Sequence, residues 1–188
     1  MFAVNLLVII QYMNSSYNGF TLIELLVVIS IISLLSSAVL ASLSGTREQA
    51  KVTAAESELN SIRVGIQQLI NDTGKWPNGC PPGDTNNPGV YLDKPNAGLV
   101  AKPSVGLVDG GPCEWTSEDV NQEWNGPYVK TDDLKDPWGN SYRFDPDYWP
   151  YRANSCPKNQ KSVRVVIASL GPSGSTWYGC DSIWVNLN

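Results

Sequence analysis

The sequence has no histidine. That removes the commonest general base and the commonest metal ligand. None of its four cysteines forms a C-x-x-C pair, so the spacing does not read as a zinc site. No lysine or arginine occurs between Met1 and Thr46, and the whole chain carries 13 basic against 18 acidic residues, a net charge of −5. A nucleic-acid binder needs a basic patch or stripe, so that class is excluded. There is no phosphate-cradling glycine loop and no histidine-based nucleophile–base pair, so nothing predicts an enzyme. Asp132, Asp133, Asp136, Asp145 and Asp147 form an acidic stretch that reads as a solvated loop.

What is present begins with a long apolar run. From Phe20 to Leu43 only Thr21, Glu24 and a few serines interrupt it. Roughly 20 helical residues span a bilayer, so this run is long enough, whereas the nine residues Phe2 to Ile10 are not. Serine costs little there because it bonds back to its own helix. The pattern then changes without a break. Val52, Ala55, Leu59, Ile62, Ile66 and Leu69 recur at steps of three and four, the signature of one helix face. Gly74 and Pro77 mark its end. One helix from about 20 to 72 is predicted, apolar all round in its first half and striped in its second. Gly45 stands at the change and is the weakest helical position.

Residues 74–115 are rich in Gly and Pro and lack periodicity, which predicts a long connection with little regular structure. Thr116–Trp124 predicts a short helix capped by Ser117. Three strands are predicted: Ser141–Asp145, Val163–Ser169 and Ser182–Leu187. They would form a small antiparallel sheet covered by the striped half of the helix, an α+β arrangement. Asp136-Pro137-Trp138-Gly139 reads as a type I turn whose Trp138 packs on the sheet. Cys80, Cys113, Cys156 and Cys180 all follow the apolar run, so they read as two disulfides in an oxidising compartment. Three pairings are possible; short loops favour Cys80–Cys113 and Cys156–Cys180.

Glu24 stands out. A charge at the bilayer centre costs roughly 2.5–3.5 kcal/mol, less near a helix end, and is usually paired. The nearby chain offers no side-chain cation. A new α-amino group at Phe20, made by cleavage after Gly19, would supply one, either its own or a neighbouring subunit's.

Gly19-Phe20-Thr21-Leu22-Ile23-Glu24, with the apolar run and striped helix behind it, resembles the N-terminal signal of type IV pilins and type II secretion pseudopilins. Lys75-Trp76-Pro77 and Asn125-Gly126-Pro127-Tyr128-Val129 fit that family. So do Asp136–Tyr142 and Ser169–Gly174 with Asp181-Ser182-Ile183, which resemble its major pseudopilin. The resemblance implies a pilin-like fold and a structural role. A prepilin peptidase would cut after Gly19 and methylate Phe20. Glu24 would serve recruitment into a homo-oligomeric filament, with an assembly platform and minor pilins as further partners. The chain would then divide into a leader (1–19), a membrane and filament-core half-helix (20–44) and an amphipathic half-helix (45–73). A variable loop region (74–124) and a C-terminal sheet region (125–188) would follow. The implied precursor crosses the inner membrane once, with its C-terminal domain outside the cytoplasm. The implied product is a periplasmic or extracellular filament.

Three departures from the family pattern stand beside this. The family's pseudopilin loop holds calcium, which here would fall to Leu170, Ser173 and Asp181. Yet Asp181 is the only carboxylate from Ser169 to Asn188, and calcium takes six to eight oxygens with several carboxylates. The proline many members carry in the apolar half is replaced by Ala41. The leader has no basic residue, against the positive-inside rule, and Met13 offers a second start that would give the short leader MNSSYNG. An ordinary secretory signal is the alternative for the N-terminus. A membrane-tethered glycan-binding module using Trp138, Tyr148, Trp149, Tyr151, Trp177 and Tyr178 is the alternative for the remainder.

Overall fold

The computed structural model describes residues 19–84, 89–108, 111–130, 134–150, 156 and 162–187, with backbone only at 40–42. The leader residues 1–18 with Met13, the acidic pair Asp132 and Asp133, and Tyr151 lie outside the described residues. One helix, α1, runs Leu22–Thr73. The chain divides after Gly45 into two compact units.

The described part of the first unit is apolar helix from Leu22 on, and its described side chains are exposed. Leu22 is 81% exposed and Leu34 73%. Ser30 and Ser33 each donate to the carbonyl four residues back, at 2.7 Å, so their hydroxyls need no external partner. A helix apolar all round is stable only in lipid or among like helices.

The second unit, Thr46–Asn188, holds the core. The stripe predicted from the sequence is its floor: Ala55, Leu59, Ile62, Ile66 and Leu69 are fully buried. Burial stabilises the larger of these by about 1.5–3 kcal/mol each. Val52 is only half-buried, so the seam begins one turn later than its spacing predicts. Gly65 lies on the same face because Tyr128-Val129 crosses it: a Cβ there would run into Val129 Cγ2. The helix stops where Thr73 Oγ1 donates to Leu69 O (2.8 Å) and Gly74, at φ 67°, turns the chain away.

Opposite the helix stands a four-stranded antiparallel sheet. Its strands are β1 (Val90–Tyr91), β4 (Arg143–Tyr148), β5 (Arg164–Ser169) and β6 (Ile183–Asn186), in the order β1-β4-β5-β6. Val90 pairs with Phe144, Phe144 with Ile167, and Ile167 with Val185. Phe144, Val165 and Ile167 join the helix stripe in one core, with Tyr142 beside them. The rear face carries Tyr148, Val166 and Ala168 under Trp177, Tyr178 and Trp184.

The connection after the helix is more ordered than its composition predicts. Two further strands, β2 (Gly106–Leu107) and β3 (Glu114–Trp115), pair with each other. Trp76, Leu92, Leu99, Val108 and Trp115 from this region are buried in the main core. Trp115 is fully buried and its indole N–H donates to Asn96 O (2.8 Å). Cys80 bonds to Cys113 and Cys156 to Cys180, so both disulfides close local loops.

Three aromatic side chains fasten the helix to the C-terminal region. Trp138 Nε1 donates to Glu48 (2.7 Å), Tyr142 Oη to Glu58 (2.5 Å) and Tyr128 Oη to Asp72 (2.8 Å). Trp138 therefore packs on the helix, with Lys51 Nζ 5.9 Å from its ring centroid, and not on the sheet as its turn position predicts.

Candidate functional site

The N-terminal apparatus is built from the first turn of α1. Glu24 Oε2 accepts the backbone N–H of Thr21 (2.9 Å) and the Thr21 hydroxyl (2.6 Å), and the Glu24 N–H donates back to Thr21 Oγ1 (3.3 Å). This is a reciprocal capping box, T-x-x-E, in which two first-turn donors and one carboxylate satisfy each other. The positive end of the helix dipole adds to it. Glu24 therefore has partners within its own chain. The sequence contains this signal, because a Thr three residues before a Glu at the start of an apolar run is a helix-start signature. Regarded only as a charge in search of a cation, Glu24 hides it. Gly19 and Phe20 precede the helix, both exposed, Phe20 at 77%. Phe20, Ile23, Glu24, Val27 and Val28 line one shallow apolar groove.

The same device recurs at the short helix. Thr116 and Asp119 form the second reciprocal box: the Thr116 N–H donates to Asp119 Oδ2 (2.6 Å) and the Asp119 N–H to Thr116 Oγ1 (3.2 Å). The cap is Thr116, not Ser117, because the acid that answers it is Asp119. Lys75 Nζ completes the cluster at 2.5 Å from Asp119 Oδ2. Burial alone would raise the Asp119 carboxyl; Lys75 and the Thr116 donors outweigh it and hold the group below its ordinary range.

The DPWGN turn is a hub built on one buried acid. Asp136 Oδ1 accepts the N–H of Trp138 (3.1 Å) and of Asn140 (2.8 Å), and Oδ2 accepts the Ser169 hydroxyl (2.6 Å). The Gly139 N–H closes the turn onto Asp136 O (2.8 Å). Of the acidic stretch, Asp136 and Asp145 are thus buried structural groups and not solvated ones.

The C-terminal loop 170–182 is closed by its own bonds. Asp181 Oδ2 accepts the Ser173 N–H (2.7 Å), and the Ser173 and Ser175 hydroxyls bond to each other (2.8 Å). Burial would raise the Asp181 carboxyl, but the Ser173 donors lower it overall. Leu170 stands half-buried at the end of β5. One carboxylate, already bonded within the loop, does not fit a calcium site. The Cys156–Cys180 disulfide ties this loop down instead. Among the described residues, one group of three metal-type donors converges, Cys80, Asp84 and Cys113, and its two sulfurs are joined to each other.

Among the described residues, the aromatics singled out for sugar binding are taken up in packing. Tyr148 is buried and stacks on Tyr178 (5.3 Å), its hydroxyl donating to Trp177 O (2.7 Å). Trp177 meets Tyr91 edge-on at 5.8 Å, Trp149 is half-buried, and Trp138 is held by α1.

Comparison with known proteins agrees with this geometry. Residues 14–40 match the family of the prokaryotic N-terminal methylation motif, and residues 114–175 match that of type II secretion system protein G. The second match reaches eleven residues further back than Asn125, where the C-terminal part of the resemblance legible in the sequence begins. Type II secretion system core protein G of Pseudomonas aeruginosa is 29% identical over 68% of this chain and 72% of its own length. A probable minor fimbrial protein of Dichelobacter nodosus is 31% identical over 46% of this chain and 62% of its own length. Core protein G of Vibrio cholerae is 28% identical, with 67% and 68% covered. No solved structure matches the chain. The N-terminal methylation motif, the protein G match over 114–175 and the single long helix together support membership of the type IV pilin and type II secretion pseudopilin family.

Proposed function

We propose that this filament subunit, processed by a prepilin peptidase, builds a type II secretion pseudopilus rather than a surface pilus. The observation that carries the choice is the protein G match over 114–175, which spans β3, β4 and β5 and the DPWGN hub. In this reading the peptidase cuts between Gly19 and Phe20 and methylates the new amine. The precursor rests in the inner membrane through α1 with Thr46–Asn188 outside the cytoplasm. An assembly platform and minor pseudopilins draw it into the filament.

The capping box gives Glu24 a more specific part. A resting subunit keeps the carboxylate bonded to Thr21, which lowers the cost of holding it in an apolar layer. On assembly the methylated amine of an adjoining subunit competes for the same oxygen. Thr21 is then a positioning residue that aims the carboxylate. Cells producing the chain test both statements by mass spectrometry and secretion assay. The expected result is N-methylated Phe20 as the first residue, with secretion lost in Glu24→Ala and reduced in Thr21→Val but restored in Thr21→Ser. An intact leader would overturn the processing. A mature N-terminus with unchanged secretion and abundant sheared surface fibres would overturn the choice of machine.

A further inference from the structure

A buried acid on the rear of the sheet has no part in the family role. Asp145, on β4, is 1% exposed. Its Oδ1 accepts the Asp147 N–H (3.2 Å) and its Oδ2 the Tyr178 hydroxyl (3.3 Å). Tyr178 and Trp177 belong to the loop 170–182, which lies over this face. Four contacts hold the cover down besides the Asp145 bond. Tyr148 stacks on Tyr178 and donates to Trp177 O, Tyr91 meets the Trp177 ring edge-on at 5.8 Å, and the Arg143 guanidinium sits over the Trp177 ring at 5.7 Å. The Cys156–Cys180 disulfide anchors the loop's far end. Arg143 and Asp147 flank Asp145 on its own strand, Tyr178 faces it from the loop, and Arg164 on β5 is engaged with the Trp184 ring at 5.8 Å.

Among the described residues one cation on this strand, Arg143, already shared with an indole, thus answers two neighbouring carboxyls, Asp145 buried under the aromatic lid and Asp147 exposed beside it. We propose that Asp145 and the Trp177–Tyr178 loop form an acid-tightened latch: protonation of Asp145 seats the loop, and ionisation loosens it. The physical reason is desolvation. An ionised Asp145 under a closed lid lacks water and faces the Asp147 charge, so opening the lid relieves it. A neutral carboxyl keeps its two accepted bonds with the lid shut and donates its proton to the neighbouring Asp147 carboxylate. Burial first, then Asp147, push the Asp145 carboxyl up to about 6, against the pull of Arg143. Because the closed-state value is raised, the lid's extra stability is fully present below the ordinary carboxylate range. It is lost as pH rises through about 6. The latch is independent of which filament the subunit builds.

The two disulfides make the test internal. The full-length chain in detergent micelles is treated with a phosphine reductant at about pH 5 and about pH 7.5, either side of that midpoint. The rates of opening of Cys156–Cys180 and Cys80–Cys113 are read by trapping and peptide mapping. The ratio of the first rate to the second should fall about threefold or more at the acid pH, a change of roughly 0.65 kcal/mol in lid closure. In Asp145→Asn the ratio should stay at the acid value of the wild type at both pH values. Asp147→Asn, at an exposed position, should shift the transition to lower pH, and it serves if Asp145→Asn fails to fold. A pH-independent ratio in the wild type, or an unaltered profile in either folded variant, would overturn the latch.

Discussion

The two halves of α1 solve opposite problems with one secondary structure. In Leu22–Gly45 every described side chain is exposed, so each described apolar residue is a surface offered to lipid or to another subunit. From Thr46 to Thr73 one face is sealed by the sheet and the other is polar. The first half is therefore specified by composition and the second by periodicity. Substitutions in the first should be felt by the assembly, and substitutions in the second by the fold.

That contrast is broken most directly by matched truncations. Ile62→Ala empties a fully buried position and should cost about 2–5 kcal/mol. Leu26→Ala, 54% exposed, should leave the thermal unfolding of the globular unit within about 0.5 kcal/mol while lowering filament yield. Calorimetry of both full-length variants in detergent measures the first effect, and sheared-fibre recovery the second. Equal losses of stability would erase the distinction between the halves.

The junction should respond more mildly. A Cβ on Gly45 meets open space, so Gly45→Ala should stabilise the helix by about 1 kcal/mol. Amide exchange of the flanking turn should slow about fivefold. Unchanged exchange would mean that the glycine is no weak point.

The smallest effect probes the polar fastenings of the second half. Burial first, and the Asp72 carboxylate next, push the Tyr128 hydroxyl up to about 12. A raised value means that the bond's contribution is intact below the ordinary tyrosine range and is lost as pH rises through about 12. Tyr128→Phe should cost about 0.5–1.5 kcal/mol at neutral pH and flatten part of the alkaline loss seen in urea titrations. An identical alkaline slope in the variant would assign that loss elsewhere.

The helix, its stripe and three of the sheet strands were legible because each depends on local spacing. The strand read as ending at Asp145 continues to Tyr148 because Pro146 falls at the irregularity between those residues, where the ladder asks for no donor. β1, β2 and β3 escaped because each has two residues, too few for an alternation to appear. Trp138 was read as a sheet contact because its turn leads toward a strand; its partner, Glu48, lies ninety residues away. At the N-terminus the residues were legible and the bonding was not. Glu24 was conspicuous as an uncompensated charge, and Thr21, which compensates it, was passed over as a small polar interruption.

The three aromatic fastenings have one more property. Their acceptors, Glu48, Glu58 and Asp72, are separated by ten and then fourteen residues. Slide the helix by one turn toward its start and the donors meet Lys51, Ser61 and Lys75, or Val52, Ile62 and Trp76. Slide it the other way and they meet Gly45, Ala55 and Leu69, or Ser44, Ala54 and Gln68. None of these one-turn displacements offers a single carboxylate. The helix works as a key with unequal teeth, and its position along the globular unit is written in the spacing of three acids.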